Sequence, residues 1–155
     1  MKKIILLAFF AISIFSCREN KKSLIKIKSE ITFNELDLTK SKPQYEIEEF
    51  LEKKNFILLE SNFANQWKSK STDDIIQFND KGVLVFLTDN IGKYNKLVDQ
   101  LKKSTYEYTG KTMKNDLEVD SYTKGDEILF LSSTYDPETQ KTFYSLTFLS
   151  NNTEK

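Results

Sequence analysis

The spacing of apolar residues predicts an α+β fold, two helices packed on a mainly antiparallel sheet. Two stretches repeat apolar residues at helical intervals, and short runs of β-branched and aromatic residues bounded by turn signals fill most of the remainder. The second half also overlays the first at an offset of 50, pairing Ile47 with Leu97, Leu51 with Leu101, Phe56 with Tyr106, Leu58 with Tyr108 and Trp67 with Leu117. That layout reads either as tandem helix-plus-four-strand units or as a chance alignment of amphipathic elements. Hydrophobic residues at 39%, charged residues at 30%, 4 Gly and 2 Pro in 155 residues fit a chain that folds around one core.

Taken in order, Arg18 to Glu30 is Lys-rich and reads as a tether, with Lys21, Lys22, Lys26 and Lys28 either solvated or touching anionic lipid. Leu24 to Lys28 and Ile31 to Leu38 alternate weakly, as an added strand would. Ser41 and Gln44 are spaced as a capping box with Pro43 between them, opening a helix over roughly 44–54 whose stripe is Ile47, Phe50 and Leu51. Phe56 to Glu60, Ile75 to Phe78 and Val83 to Thr88 read as strands, the last two joined by the hairpin turn Asn79-Asp80-Lys81-Gly82. Asp89 or Asn90 caps a second helix in which Ile91, Tyr94, Leu97, Val98 and Leu101 recur through about Ser104. Tyr106 to Gly110, Leu117 to Tyr122, Ile128 to Tyr135 and Thr142 to Leu149 complete the strands, with turns at Lys124-Gly125-Asp126 and Asp136-Pro137-Glu138. A single domain is expected over 31–150, followed by a polar tail over 151–155.

The N-terminus carries an address. Lys2 and Lys3 precede an apolar run from Ile4 to Phe15, too short to span a bilayer as a mature helix. Ile14-Phe15-Ser16-Cys17 resembles the lipobox of bacterial lipoproteins, with Phe15 bulkier than is usual at its position. The resemblance covers only the first 17 residues. It implies that residues 1–16 are a signal peptide, that Cys17 is lipidated, and that the chain is anchored to a membrane of the cell envelope. Arg18 is not the acidic residue that signals inner-membrane retention in enteric bacteria, which points to an outer membrane facing the periplasm in a Gram-negative cell.

Charge and residue types narrow the chemistry. Removal of Lys2 and Lys3 leaves 21 basic residues against 23 acidic, so net charge gives no reason to expect a nucleic-acid partner. The chain has no His and only Cys17, which excludes Cys/His zinc clusters, Ser-His-Asp triads and intrachain disulfides. No cofactor and no metal are expected. Asp116, Glu118 and Asp120 alternate, so on a strand they share one face at steps of about 7 Å. They would hold Ca²⁺, meet a basic partner, or simply be solvated. Phe63 and Trp67 are large rings in a polar segment, suited to recognition, although Trp67 equally suits a core cap like its counterpart Leu117. The remaining aromatics, Tyr94 and Tyr144 among them, follow element periodicity and read as core.

These features predict a non-enzymatic lipoprotein that binds another protein, of the inhibitor or immunity type. The layout resembles the tandem units of secreted β-lactamase-inhibitory proteins, a likeness of arrangement that says little about function. The alternatives are a small-ligand carrier or sensor, and a carboxylate-dependent hydrolase.

Overall fold

The computed structural model describes residues 30–59, 65–114 and 117–149. The signal peptide, Cys17 and nearly all of the tether lie outside the described residues, as do Phe63, Asp116 and the tail.

Among the described residues three helices form rather than two. Helix α1 (Phe33–Thr39) replaces the weak strand expected at Ile31 to Leu38. Its start is a capping box: Glu35 N–H donates to Thr32 Oγ1 at 3.3 Å, and Thr32 N–H donates to Glu35 Oε2 at 2.9 Å. Phe33 and Leu36, one turn apart, are fully buried. Helix α2 (Gln44–Lys53) buries Ile47 and Leu51 as its periodicity predicts. The expected Ser41–Gln44 cap does not form, because Pro43 is itself the N-cap and the Gln44 amide donates to Glu48 at 2.8 Å. Helix α3 (Ile91–Leu101) starts at the Asn90 cap, whose side chain accepts from Lys93 N–H at 2.9 Å.

The strands are β1 (Phe56–Leu59), β2 (Asn65–Ser69), β3 (Ile75–Phe78), β4 (Val83–Thr88), β5 (Glu107–Lys114), β6 (Leu117–Lys124), β7 (Glu127–Asp136) and β8 (Lys141–Leu149). They form one antiparallel sheet of eight strands in the order β1-β2-β3-β4-β8-β7-β6-β5. Two four-stranded meanders, each preceded by a helix, therefore meet at the β4–β8 pair. The β3–β4 turn is built as expected: Asn79 Oδ1 accepts from Lys81 and Val83 N–H, and Gly82 supplies a φ of 74°.

Period-2 alternation sends Trp67, Ile76, Phe86, Leu129, Leu146 and Phe148 to the helix side, where they join Phe33, Leu36, Leu51 and Leu97 in one core. Helix α2 packs on β1, whereas α3 packs on α1, β4 and β8. On the opposite face, Val83, Val85 and Leu87 are half-buried.

Two ionic clusters tie the helices down. Lys40 Nζ, with a side chain 1% exposed, meets Asp37 of α1 and Glu127 of β7, the latter at 3.1 Å. The Tyr106 hydroxyl sits in the same cluster, 2.8 Å from Asp37 and 3.1 Å from Glu127, and Lys124 reaches Asp37 at 3.0 Å. These cations and hydrogen bonds outweigh partial burial and hold both carboxyls below their usual range. Burial above all, then the hydrogen bond to Asp37, pushes the Tyr106 phenol up. At the start of α3, Lys93 pairs with the buried Asp74, which also accepts from the Thr72 hydroxyl at 2.7 Å.

Candidate binding groove

The β5–β6 end of the sheet carries an open groove of about 530 Å³ on its helix side, lined by Lys102, Tyr106, Tyr108, Lys111, Asp120 and Tyr122. Strand pairing fixes its floor: Tyr108 faces Tyr122 and Lys111 faces Asp120 across the β5–β6 ladder. A β-bulge between Tyr108 and Gly110 decides which β5 side chains reach it. Were Thr109 part of an unbroken ladder, alternation would send Lys111 and Met113 to the other face; the bulge places them on the groove side. Gly110 accommodates this at φ 133°, and the Thr109 hydroxyl donates to Ser121 C=O at 3.1 Å.

Tyrosine dominates the surroundings. The rings of Tyr108 and Tyr122 meet edge to face at 5.2 Å, and Tyr94 of α3 stacks on Tyr144 of β8 at 4.9 Å. Tyr108 is 56% exposed and Tyr122 8%, so one stands as a wall and the other forms the floor. Asp120 lies among them and accepts from the Tyr108 hydroxyl at 3.2 Å. Burial, then the Asp120 charge, raises the phenols of Tyr122 and Tyr94, the latter to about 12. Tyr108 is raised in the same way, with its hydrogen bond to Asp120 adding to the effect. These tyrosines are therefore neutral hydrogen-bond donors at physiological pH. Next along the ladder, Lys111 pairs with Glu118 at 2.6 Å, a contact that raises the lysine.

Of the residues singled out from sequence, Glu118 and Asp120 do share one face, and that face is the groove side of β6. Asp116 and Phe63 lie outside the described residues. Trp67 is 4% exposed and belongs to the core, paired with Leu58 of β1 and Ile76 of β3. Its indole Nε1 is buried without a hydrogen-bond partner among the described residues. Its supposed counterpart Leu117 points to the opposite face, because the second meander begins with a longer hairpin. By register, the residue that answers Trp67 is Tyr122: Leu58 faces Trp67 as Tyr108 faces Tyr122.

Tyr108 and Tyr122 carried a legible signal in that a phenol, unlike a phenyl ring, needs a wet or bonded end. The pairing that joins them across a bulge is not written in local sequence. Among the described residues no three carboxylates converge as a metal site, and no helix is long and apolar enough to cross a membrane. No protein-family model, curated protein or solved structure matches the chain.

Proposed function

We propose that this chain is a cell-envelope lipoprotein, exported by residues 1–16 and anchored through lipid on Cys17, whose folded domain is a non-enzymatic protein-interaction module of the inhibitor or immunity type. The observation that carries the binding part is the tyrosine-lined groove between α3 and β5. Tyrosine gives large contact area with few rotors to freeze and keeps a polar tip, which is why recognition surfaces use it. The groove is open rather than enclosed, which suits a segment of protein better than a small ligand needing burial on most sides.

We also infer that the two halves are tandem units. Ile47 and Leu97, Leu51 and Leu101, and Phe56 and Tyr106 are buried pairwise, while Leu58 and Tyr108 are exposed at 54% and 56%. The helix count of the expected layout is amended by α1, which precedes both units.

The binding reading is tested by capture from native envelopes with the full chain as bait. One stoichiometric protein partner is expected, lost with Tyr108→Ala and kept with Tyr45→Ala, a comparably exposed tyrosine on α2. A folded bait that captures nothing, or a partner indifferent to Tyr108, rejects the reading. For the anchor, Cys17→Ser is expected to release a folded domain from membranes; a variant that resists a carbonate wash rejects it.

A further inference from the structure

We propose that the groove between α3 and β5 is a receptor for a cationic side chain, an arginine of a partner protein, held over tyrosine rings by Asp120. This deepens the interaction reading and rests on it for the partner's being a protein. A carboxylate ringed by aromatic faces is the arrangement a guanidinium takes best: the charge is met by Asp120, and the flat cation stacks on or against the rings. Tyr108 and Tyr122, edge to face at 5.2 Å, line the groove beside Asp120 and supply those rings. A single phenol engages Asp120, through one oxygen, at 3.2 Å. The second carboxylate oxygen has no hydrogen bond among the described residues.

The rest of the lining is compatible with a cation. Lys111 faces Asp120 across the ladder, yet its ammonium is bound to Glu118 at 2.6 Å, so the two together add no net charge. Lys102, the C-cap of α3, is exposed, and its flexible side chain can swing into solvent. The volume of about 530 Å³ admits an arginine side chain with its flanking backbone. Among the described residues strand β5 is the outer strand of the sheet, so an extended segment carrying that arginine has an edge to lie against.

The test is a titration of the full chain, with ¹³C-labelled tyrosine rings, against N-acetyl-arginine methylamide and its neutral isostere, the citrulline derivative. Saturable shifts of Tyr108 and Tyr122 are expected with the arginine probe alone. Asp120→Asn should weaken the probe by about tenfold, as loss of one charge-assisted pair does, and Asp120→Glu should recover part of it. The spectrum of each variant reports whether it is folded. Equal response to the citrulline derivative, indifference to Asp120→Asn, or no shift at any concentration overturns the proposal. The readout involves no partner protein, so failure to capture a partner from envelopes leaves its result intact. Capture that depends on Tyr108, together with a silent arginine titration, would overturn the cation and keep the interaction module.

Discussion

The molecule offers its own control for the tyrosine groove. At the other end of the sheet, between α2 and the edge strand β1, lies a second groove of about 480 Å³, lined by Glu48, Glu52, Phe56, Ile57, Leu58, Trp67 and Lys70. Position by position the two correspond: Glu52 stands where Lys102 does, Phe56 where Tyr106 does, Leu58 where Tyr108 does, and Trp67 where Tyr122 does. The same scaffold thus carries an apolar floor with an acidic rim at one end and phenols around a carboxylate at the other. Between Phe56 and Tyr106 a single oxygen makes the difference. Phe56 ends in hydrocarbon and finishes in the core, whereas the Tyr106 hydroxyl recruits Lys40, Asp37 and Glu127 and so ties α1 to the second meander. Leu58 presents only apolar area, whereas Tyr108 presents area and a hydroxyl that donates to Asp120.

The comparison can be broken most readily at its floors. Trp67→Ala is expected to cost about 4 kcal/mol, because removing a buried indole leaves a cavity between the strands. Tyr122→Ala, which removes a smaller but likewise buried ring, should cost about 3 kcal/mol. Urea denaturation of both variants checks this, and a negligible loss at Tyr122 would mean that only the first groove has its floor in the core.

The next effect concerns the cluster that only the second unit possesses. Lys40→Met should destabilise by about 3 kcal/mol, since it leaves Asp37 and Glu127 facing each other around Tyr106 without their buried cation. Tyr106→Phe, which turns this residue into its counterpart Phe56, should cost about 1 kcal/mol through the hydrogen bonds lost. A Lys40→Met variant as stable as the wild type would show that packing of Phe33 and Leu36 alone fixes α1.

The same cluster gives the fold a pH dependence of known sign. Asp37 and Glu127 are held below their usual range in the folded chain, so the unfolded state binds protons first as acid is added. Their contribution is present at neutral pH and is lost as pH falls below about 4, towards and through the lowered folded values. Tyr106 is shifted the other way. Its contribution is complete at neutral pH and declines as pH rises past about 10, where the unfolded phenol ionises and the folded one does not. Thermal midpoints of the wild type should fall at both extremes. The acid limb should be shallower in Lys40→Met, and the alkaline limb shallower in Tyr106→Phe. Smallest of all, Asp120→Asn should change stability by no more than about 0.5 kcal/mol, because the groove is open to solvent and an amide oxygen still accepts from the Tyr108 hydroxyl.

Much of the fold was legible because it rests on short-range rules. The periodicity of Ile47 and Leu51, the Asn90 cap, and the turn at Asn79 to Gly82 each act within a few residues, and each sits where the spacing puts it. Helix α1 was legible too, in the capping spacing of Thr32 and Glu35, but the weak alternation from Ile31 to Leu38 invited a strand. The Ser41–Gln44 spacing had the look of a cap and was not one, since Pro43 took the position itself. The strands of the second unit ran longer than their β-rich cores, into polar residues such as Lys111 and Lys141 that only a neighbouring strand recruits.

The candidate site divides in the same way. That Glu118 and Asp120 share a face follows from a strand's period of two, which the sequence determines by itself. Which face it is, and what meets it there, was decided by the bulge at Thr109 and by the pairing that sets Tyr108 opposite Tyr122 and Lys111 opposite Asp120. Sequence alone settled the residue types available, including the absence of His and the tyrosines in place of phenylalanines, because composition needs no partner. The tertiary structure alone decided that Trp67 and Tyr122 are both buried, each as the floor of a groove at one end of the sheet, because burial belongs to the elements packed above a residue and not to the residue or its neighbours in the chain.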